Sequence, residues 1–197
     1  MLIEKHKSSL LIIDVQEKLV SVMPKPHTFI DIIIKLLKAS EILKVPMLNS
    51  EQYPKGLGKT INKIRNVIDN KIISENLGAN LKDKTDWSSI VKTGFGISPR
   101  SQGGWGLVSQ TIEASKQIII CGIEAHVCVL QTAINFAKDK KVYVVQDAIA
   151  SRNEKDYLTA LSRLDKHPNI QIVTCEMVLF EWLRTSDHPE FKNISQL

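Results

Sequence analysis

One stretch in the second half of the chain, residues 116–138, constrains the fold more than any other. It reads KQIIICGIEAHVCVLQTAINFAK. Its first apolar run, residues 118–121, is short and rich in β-branched side chains, which is typical of a strand buried on both faces. Gly122 ends that run, and from Cys128 onward the apolar residues recur at helical intervals. The stretch therefore predicts a strand, a tight turn and a helix, with Cys128 at or near the first turn of the helix.

The predicted position of Cys128 makes it a candidate nucleophile. A cysteine attacks as its thiolate, and the ordinary pKa of the thiol is about 8.5. The unpaired N–H groups and the positive end of a helix dipole favour an anion, and the same N–H groups can hold the oxyanion of an acyl intermediate. The alternative is that Cys128 is a small buried hydrophobic residue, as free cysteines often are. Its position alone leaves both interpretations open.

Strand-like and helix-like segments alternate along the whole chain. Further strands are predicted over residues 9–14, 45–48, 87–94, 141–147 and 170–174, and helices over 28–43, 60–68, 107–115, 153–166 and 177–183. Such alternation indicates a parallel sheet covered by helices on both faces. We therefore predict an α/β fold, a three-layer α/β/α sandwich with a six-stranded parallel sheet. No repeat or linker divides the 197 residues, so one domain over 1–197 is expected.

Charge and cysteine content restrict the function classes. The net charge is +5, but the lysines and arginines are spread along the chain, which favours solvated surface residues over a nucleic-acid site. No apolar run approaches the roughly 20 residues that span a bilayer, and the N-terminus lacks the design of a signal peptide. Three cysteines are too few for a disulfide framework. We therefore expect a cytoplasmic protein with no membrane partner.

Three reactive side chains follow three different predicted strands. Asp14 ends the first strand, Lys92 lies at the end of the strand over 87–94, and Cys128 follows the strand over 118–121. Because parallel strands place their carboxyl ends at one edge of a sheet, the three can converge. Asp14 can take the thiol proton and return it, while the Lys92 ammonium stabilises carboxylate and thiolate. The thiolate would attack a carbonyl carbon and form an acyl-enzyme that water then releases.

These motifs resemble those of the isochorismatase-like cysteine hydrolases. The resemblance is carried by LLIIDVQ around Asp14, VKTGF around Lys92 and CGIEAHVCV around Cys128. EQYPKGLG, DAIASR and the C-terminal DHPEFK are most similar to the branch of isochorismatase-domain-containing proteins. The resemblance covers almost the whole chain, with its motifs in the expected order.

The resemblance implies a catalytic triad of Asp14, Lys92 and Cys128. It also implies an oxyanion hole formed by the backbone N–H groups of Glu124 and Cys128, with a cis peptide bond between Ile123 and Glu124. Members of the family assemble as dimers or larger homo-oligomers. The family's nicotinamidases hold a metal through an aspartate and two histidines after the second strand. No histidine lies within residues 28–125 here, so neither a metal nor another cofactor is expected.

The substrate pocket is less constrained by the sequence than the triad. The residues predicted to line it are Gln16, Phe95, Glu51 and Ala125. For Glu51 and the two residues after it, a solvated loop or a subunit contact remains equally open. His126 lies two residues from Cys128, a spacing at which helical side chains do not face each other, so a structural hydrogen bond is expected for it.

Three functions remain open at this stage. The first is a metal-independent hydrolase that cleaves a small amide or ureido substrate through a thiol acyl-enzyme. The second is a catalytically silent, oligomeric binding or scaffold protein. The third, suggested by the basic composition, is a protein that acts on RNA.

Overall fold

The computed structural model describes residues 1–72 and 114–197, and in this part of the chain five strands form one parallel sheet. The strand order is β2-β1-β3-β4-β5. The sequence predicted six strands, but the strand expected over 87–94 lies outside the described residues. The predicted α/β class is confirmed. The strands are β1 Ser8–Ile13, β2 Met47–Asn49, β3 Gln117–Ile123, β4 Lys141–Ala150 and β5 Ile170–Val173.

Helices connect these strands and continue past the last one. Local caps fix two of them: the Asn153 side chain accepts from the Lys155 N–H at 2.9 Å, and Thr174 accepts from the Met177 N–H at 3.4 Å. Within 1–72 and 114–197, no helix is long and apolar enough to cross a membrane. The helices are α1 Glu17–Val20, α2 Pro26–Leu43, α3 Pro54–Leu57, α4 Asn62–Ile72, a π-helical turn Ala125–Val129, α5 Leu130–Phe136, α6 Glu154–Asp165, α7 Cys175–Leu183 and α8 Phe191–Ser195.

Side chains on the two faces of the sheet enter two separate hydrophobic clusters. Leu10 and Ile12 of β1 pack with α2 and α7 on one face, whereas Leu11 and Ile13 pack with α5 and α6 on the other. This division follows from the period of two along a strand, which points successive side chains to opposite faces. The predicted three-layer arrangement is therefore confirmed.

The register of the central strands brings three chain segments to the same edge of the sheet. Ile12 pairs with Asn49 of β2, and Ile13 pairs with Gly122 of β3. The residues that follow these positions therefore leave the sheet side by side at its carboxyl edge. Asp14 and Cys128 both belong to these segments.

Gly122 is required where β3 passes β1. Its φ is +117°, and a Cβ at this position would lie 2.6 Å from the backbone nitrogen of Ile13 and closer still to the carbonyl oxygen. We expect Gly122→Ala to lower the free energy of unfolding by about 3 kcal/mol or more, because neither backbone can move aside without breaking the sheet. Urea denaturation measures this change. Gly56→Ala is the control: the three atoms nearest its Cβ would all belong to the ring of the exposed Tyr53, so a loss as large as that of Gly122→Ala would contradict the explanation.

Candidate active site

Asp14 is the first residue after β1 and is held by a residue from the neighbouring strand segment. Its carboxylate accepts a hydrogen bond from the Ser50 hydroxyl at 2.7 Å, and its own N–H donates to the Ser50 oxygen at 3.2 Å. Only 4% of Asp14 is exposed. Burial raises the pKa of Asp14, hydrogen bonds from Ser50 and Cys128 oppose that rise, and the charge of Glu51 adds to it. Asp14 is therefore a fixed carboxyl group that binds a proton more readily than an ordinary aspartate.

Cys128 lies in the π-helical turn that follows β3, close enough to Asp14 for the carboxylate to raise the pKa of its thiol. The sulfur is also 3.7 Å from the side-chain oxygen of Gln52. Like Asp14, Cys128 is almost fully buried, at 5% exposed. The structure thus brings together two of the three predicted triad residues. The third, Lys92, lies outside the described residues.

The electrostatic surroundings of Cys128 differ from the sequence-based expectation. A helix N-terminus was expected to favour the thiolate, but burial and then the charge of Asp14 raise the pKa of the Cys128 thiol well above its ordinary value. The backbone N–H of Glu124, which donates to the sulfur, lowers this pKa only in part. Within the described residues, the sulfur is therefore a neutral thiol that lies beside a carboxyl group able to take its proton.

The Glu124 N–H contact depends on the backbone between β3 and the π-helical turn. The peptide bond between Ile123 and Glu124 is cis. The Glu124 carbonyl accepts from the N–H groups of Val127 at 3.1 Å and Val129 at 3.2 Å, which starts the turn. A single residue thus begins the helical segment with its carbonyl and faces the sulfur with its N–H. The oxyanion-hole role expected for this N–H stays a prediction.

Residues after β4 form hydrogen bonds and ion pairs with the segment that contains Glu124 and His126. The Glu124 carboxylate accepts from the Arg152 N–H at 3.1 Å and lies 3.5 Å from the Arg152 guanidinium. The His126 ring is 2.9 Å from the Ser151 hydroxyl through Nδ1 and 3.9 Å from Asp156 through Nε2. His126 is therefore engaged in the structural hydrogen bonding expected for it.

Gln16 holds the loop after β2 through its side-chain amide. Its side chain is completely buried and donates to the carbonyl of Gly58 at 2.6 Å and that of Gln52 at 3.1 Å. Its oxygen accepts the Gln52 N–H at 2.7 Å. Both amide hydrogens are used on backbone carbonyls, so the Gln16 side chain fixes the loop after β2, and its contact with a substrate stays a prediction.

Two of the other residues predicted to line the pocket, Glu51 and Ala125, are described, and both are buried. The Glu51 carboxylate is buried and accepts from the N–H of Thr60 at 2.6 Å and from its hydroxyl at 2.8 Å. Ala125 has no exposed surface and belongs to the cluster beneath α5 and α6. Phe95 lies outside the described residues. Among the residues described, no group of three or more His, Cys, Asp or Glu side chains is placed to hold a metal ion.

Two residues of the site were missed or left undecided from the sequence. Ser50 contacts Asp14 directly, and Gln52 contacts the sulfur. One signal pointed to both: they follow β2, so they leave the sheet at the same edge as Asp14. The sequence could not indicate which of several consecutive polar residues turns inward.

The charge of Glu124 contributes to the raised pKa of Cys128. Replacing it in Glu124→Gln should therefore lower that pKa and speed alkylation of Cys128 by iodoacetamide at pH 8 by roughly three- to tenfold. Intact-mass kinetics measure the rate. Asp156→Asn is the matched control, because it removes an acidic group that contacts His126 and not the sulfur. Slower alkylation of the Glu124→Gln variant would contradict the assignment.

The fold and the site together define a parallel three-layer α/β protein with a thiol–carboxyl pair at the carboxyl edge of its sheet. The model of the isochorismatase domain matches residues 8–176, so the chain belongs to the isochorismatase family of hydrolases. The family resemblance read from the motifs is confirmed.

Individual relatives are similar to this chain over nearly its full length. Isochorismatase domain-containing protein 2 of Danio rerio is 31% identical over 201 residues, covering 96% of this chain and 86% of the relative. A solved structure from Caenorhabditis elegans, described as the MAR1 ribonuclease, has a TM-score of 0.82 at 30% identity and covers 100% of this chain and 91% of its own. The YcaC gene product of Escherichia coli, described as an octameric hydrolase of unknown specificity, shares the fold with a TM-score of 0.73 at 20% identity, covering 100% and 95% of the two chains.

Proposed function

We propose that this protein is a metal-independent cysteine hydrolase that cleaves a C–N bond in a small amide or ureido substrate. The observation that carries the proposal is the meeting of the buried Cys128 thiol and the buried Asp14 carboxyl group at the carboxyl edge shared by β1 and β3. Family membership supports hydrolysis, and the sulfur is the nucleophile that this contact favours.

The first half of the reaction forms an acyl-enzyme. Asp14 takes the thiol proton while the sulfur attacks the substrate carbonyl carbon, and the S–C bond forms. The developing oxyanion accepts from the backbone N–H groups of Glu124 and Cys128. The C–N bond then breaks, and Asp14 returns its proton to the leaving nitrogen. The positive charge of Lys92 would stabilise the negative charge that passes between Asp14 and Cys128.

The second half releases the acid. Water adds to the acyl carbon and gives a proton to Asp14, after which the C–S bond breaks and the sulfur recovers that proton. Asp14 thus acts as base and acid in each half. Its raised pKa suits the acid role, because a carboxyl group that retains a proton near neutral pH can protonate a departing nitrogen.

The size and chemistry of the substrate follow from the same groups. Asp14 and Cys128 are 4% and 5% exposed, so the reacting atoms lie below the surface and suit a small molecule better than a polymer. An amine is a poor leaving group unless it is protonated, whereas an ester alkoxide needs less help. A carboxyl group poised beside the thiol is therefore most useful for C–N cleavage.

A panel of small primary amides, ureides and carbamates tests the proposal. We expect at least one of them to release ammonia with the wild-type protein but not with Cys128→Ala. Turnover that persists after treatment with a chelator is expected, since no step uses a metal. If no member of the panel is turned over, or if the Cys128→Ala variant is equally active, the proposed function is wrong.

One observation favours a second candidate, an RNA-cleaving activity. The Caenorhabditis elegans structure described as a ribonuclease is 30% identical over the whole of this chain, and the chain carries a net charge of +5. Binding to RNA through several phosphate contacts would weaken strongly as salt is raised. Cleavage of a fluorescent single-stranded RNA by the wild type but not by Cys128→Ala would support this function. Identical traces for both variants would dismiss it.

We also propose that the protein assembles as a homo-oligomer. The Escherichia coli protein that shares its fold is described as octameric. Light scattering on the purified chain should give a mass at least twice 22.2 kDa, and a mass of one chain would contradict this.

A further inference from the structure

Ser50, the first residue after β2, contacts Asp14 as both a hydrogen-bond donor and an acceptor. Its hydroxyl donates to Oδ1 of the Asp14 carboxylate at 2.7 Å, and its oxygen accepts the Asp14 backbone N–H at 3.2 Å. Ser50 has no exposed surface, and its own N–H donates to the Ile12 carbonyl of β1 at 2.9 Å. One buried hydroxyl therefore holds both the side chain and the backbone of the residue proposed as the base.

The backbone conformation of Asp14 also depends on its neighbours. Its φ is 48°, in the left-handed region that residues with a Cβ seldom adopt. The Ser50 oxygen accepts the N–H on one side of this residue, and the N–H of Gln16 donates to the Asp14 carbonyl at 2.7 Å on the other. Such a conformation persists only where the surroundings enforce it, so the placement of the carboxyl group depends in part on Ser50.

The direction of these hydrogen bonds distinguishes the two oxygens of the carboxyl group. A hydroxyl has a single hydrogen, and that of Ser50 is directed to Oδ1 while the Asp14 N–H occupies a lone pair of the hydroxyl oxygen. An oxygen that accepts such a bond is the poorer site for a proton. A proton taken up by Asp14 therefore belongs on Oδ2.

The same contact affects the ionisation of Asp14. Burial raises the pKa of Asp14, and the hydrogen bond from Ser50 is the largest effect that opposes this rise. The other titratable groups of the described residues that act on Asp14 are Cys128, from the π-helical turn, and Glu51, from the segment after β2. Lys92 lies outside the described residues. Without the Ser50 hydroxyl, Asp14 would keep its proton to a higher pH and would accept the thiol proton less readily.

We infer that Ser50 is a positioning residue for the proposed hydrolysis: its hydroxyl fixes Asp14 through Oδ1 and leaves Oδ2 to exchange the proton with the Cys128 sulfur. The inference rests on the proposed function, since it requires Asp14 to act as the base. The thiol proton passes to Oδ2 as the S–C bond forms, and it passes from Oδ2 to the leaving nitrogen as the C–N bond breaks. Ser50 keeps its own hydrogen throughout.

p-Nitrophenyl acetate isolates the first of these proton transfers, because its leaving group departs without a proton. The S–C bond to the acetyl group forms, the C–O bond to p-nitrophenolate breaks, and the thiol proton goes to Asp14 and then to solvent. The measured quantity is the rate of Cys128 acetylation, followed by peptide mapping from about pH 5 to about pH 9 and corrected for decomposition in buffer.

We expect folded Ser50→Ala to acetylate Cys128 about 10- to 100-fold more slowly than the wild type, with the midpoint of the pH–rate profile moved to higher pH. Asp14→Asn removes the base that Ser50 positions, so adding Ser50→Ala to that variant should change its rate by no more than about twofold. Ser9→Ala is the matched control. Ser9 is equally buried and its hydroxyl is hydrogen-bonded, but it lies near the other end of β1, so rate and midpoint should equal those of the wild type.

The failure of this inference differs from the failure of the proposed function. A wild-type rate and midpoint in folded Ser50→Ala, an equally large further loss in the Asp14→Asn background, or an equal shift in Ser9→Ala overturns the role of Ser50 while the nucleophile stands. If circular dichroism shows that Ser50→Ala does not fold, Ser50→Cys takes its place, since a thiol is similar in shape but a weaker donor. Its midpoint should also move to higher pH, and an unmoved midpoint overturns the role. Equal release of p-nitrophenolate by wild type and Cys128→Ala would reject the nucleophile itself.

Discussion

The Cys128→Ala variant is expected to lose at least about a thousandfold in kcat/KM on whichever amide or ureide the wild type hydrolyses best. Alanine removes the atom that forms the covalent bond, and neither Asp14 nor the Glu124 N–H can replace it. The fold should survive, because replacing one buried sulfur by hydrogen opens only a small cavity and costs about 1–2 kcal/mol of unfolding free energy. Steady-state kinetics and urea denaturation on the same preparation check both expectations.

A second thiol of the chain supplies the control for this variant. Cys175 is also buried, at 3% exposed, and burial raises the pKa of its thiol to about 12. It belongs to the hydrophobic cluster beneath α2 and α7, on the face of the sheet opposite the one that Cys128 packs against. Cys175→Ala should therefore keep kcat/KM within about twofold. A variant lacking Cys128 that still turns over substrate would contradict the account, as would loss of activity in Cys175→Ala.

The Asp14→Asn variant is expected to lose about 10²- to 10⁴-fold in kcat, because the amide cannot accept the thiol proton. Its side-chain oxygen can still accept from the Ser50 hydroxyl, so the geometry at the end of β1 should be kept. In the wild type, the rate should rise with pH as the Asp14 carboxyl ionises through its raised pKa. The Asn variant should lack this rise. A pH–rate profile unchanged by the substitution would show that another group takes the proton.

As pH rises, the stability of the wild type relative to Asp14→Asn should fall, whereas its activity should rise. Burial raises the pKa of Asp14 in the folded state, so the unfolded chain releases this proton at a lower pH than the folded chain does. The wild type therefore loses stability relative to Asp14→Asn as pH rises from about 4, the ordinary pKa of aspartate, through the raised pKa of the folded state. Urea denaturation of both proteins across this range should show the gap opening in favour of the Asn variant. A gap that opens in favour of the wild type would contradict the direction of the shift.

The sequence predicted the sheet and its edge well because these depend on local patterns. The apolar run ending at Asp14 and the apolar run before Gly122 each became a central strand, β1 and β3. Two carboxyl ends of neighbouring parallel strands must leave the sheet together, so the approach of Asp14 to Cys128 followed from topology. Neither conclusion required knowledge of a side-chain conformation.

Local sequence patterns could not predict the backbone path of the loop after β2. Gln16 and Gln52 are chemically alike, yet one is consumed by backbone hydrogen bonds and the other faces the sulfur. Which of them turns toward the substrate depends on the path of the backbone, and Tyr53 within this path has a φ of 45°, in the left-handed region. A sequence without a glycine or asparagine at that position gives little indication of such a turn.

The surroundings that the described residues give the Cys128 thiol also differ from the expectation, for an electrostatic reason. The expectation of a thiolate counted the helix N-terminus and the Lys92 ammonium, which lies outside the described residues, and left out the cost of burial. With 5% of the residue exposed and a carboxylate in contact, that cost dominates. Under the proposed function, the thiol therefore requires a base at the moment of attack, which gives Asp14 a larger role than activation by the helix alone would.

The central claim is that the Cys128 sulfur becomes covalently bound to the substrate's acyl group during turnover. Acid quenching of the protein in the presence of its best amide or ureide, followed by intact-mass measurement and peptide mapping, tests it directly. The account predicts a transient mass increase equal to the acyl group, confined to the peptide that contains Cys128 and absent from Cys128→Ala. Turnover without any mass increase under conditions that accumulate the intermediate, or an acyl group found on another residue, would contradict it.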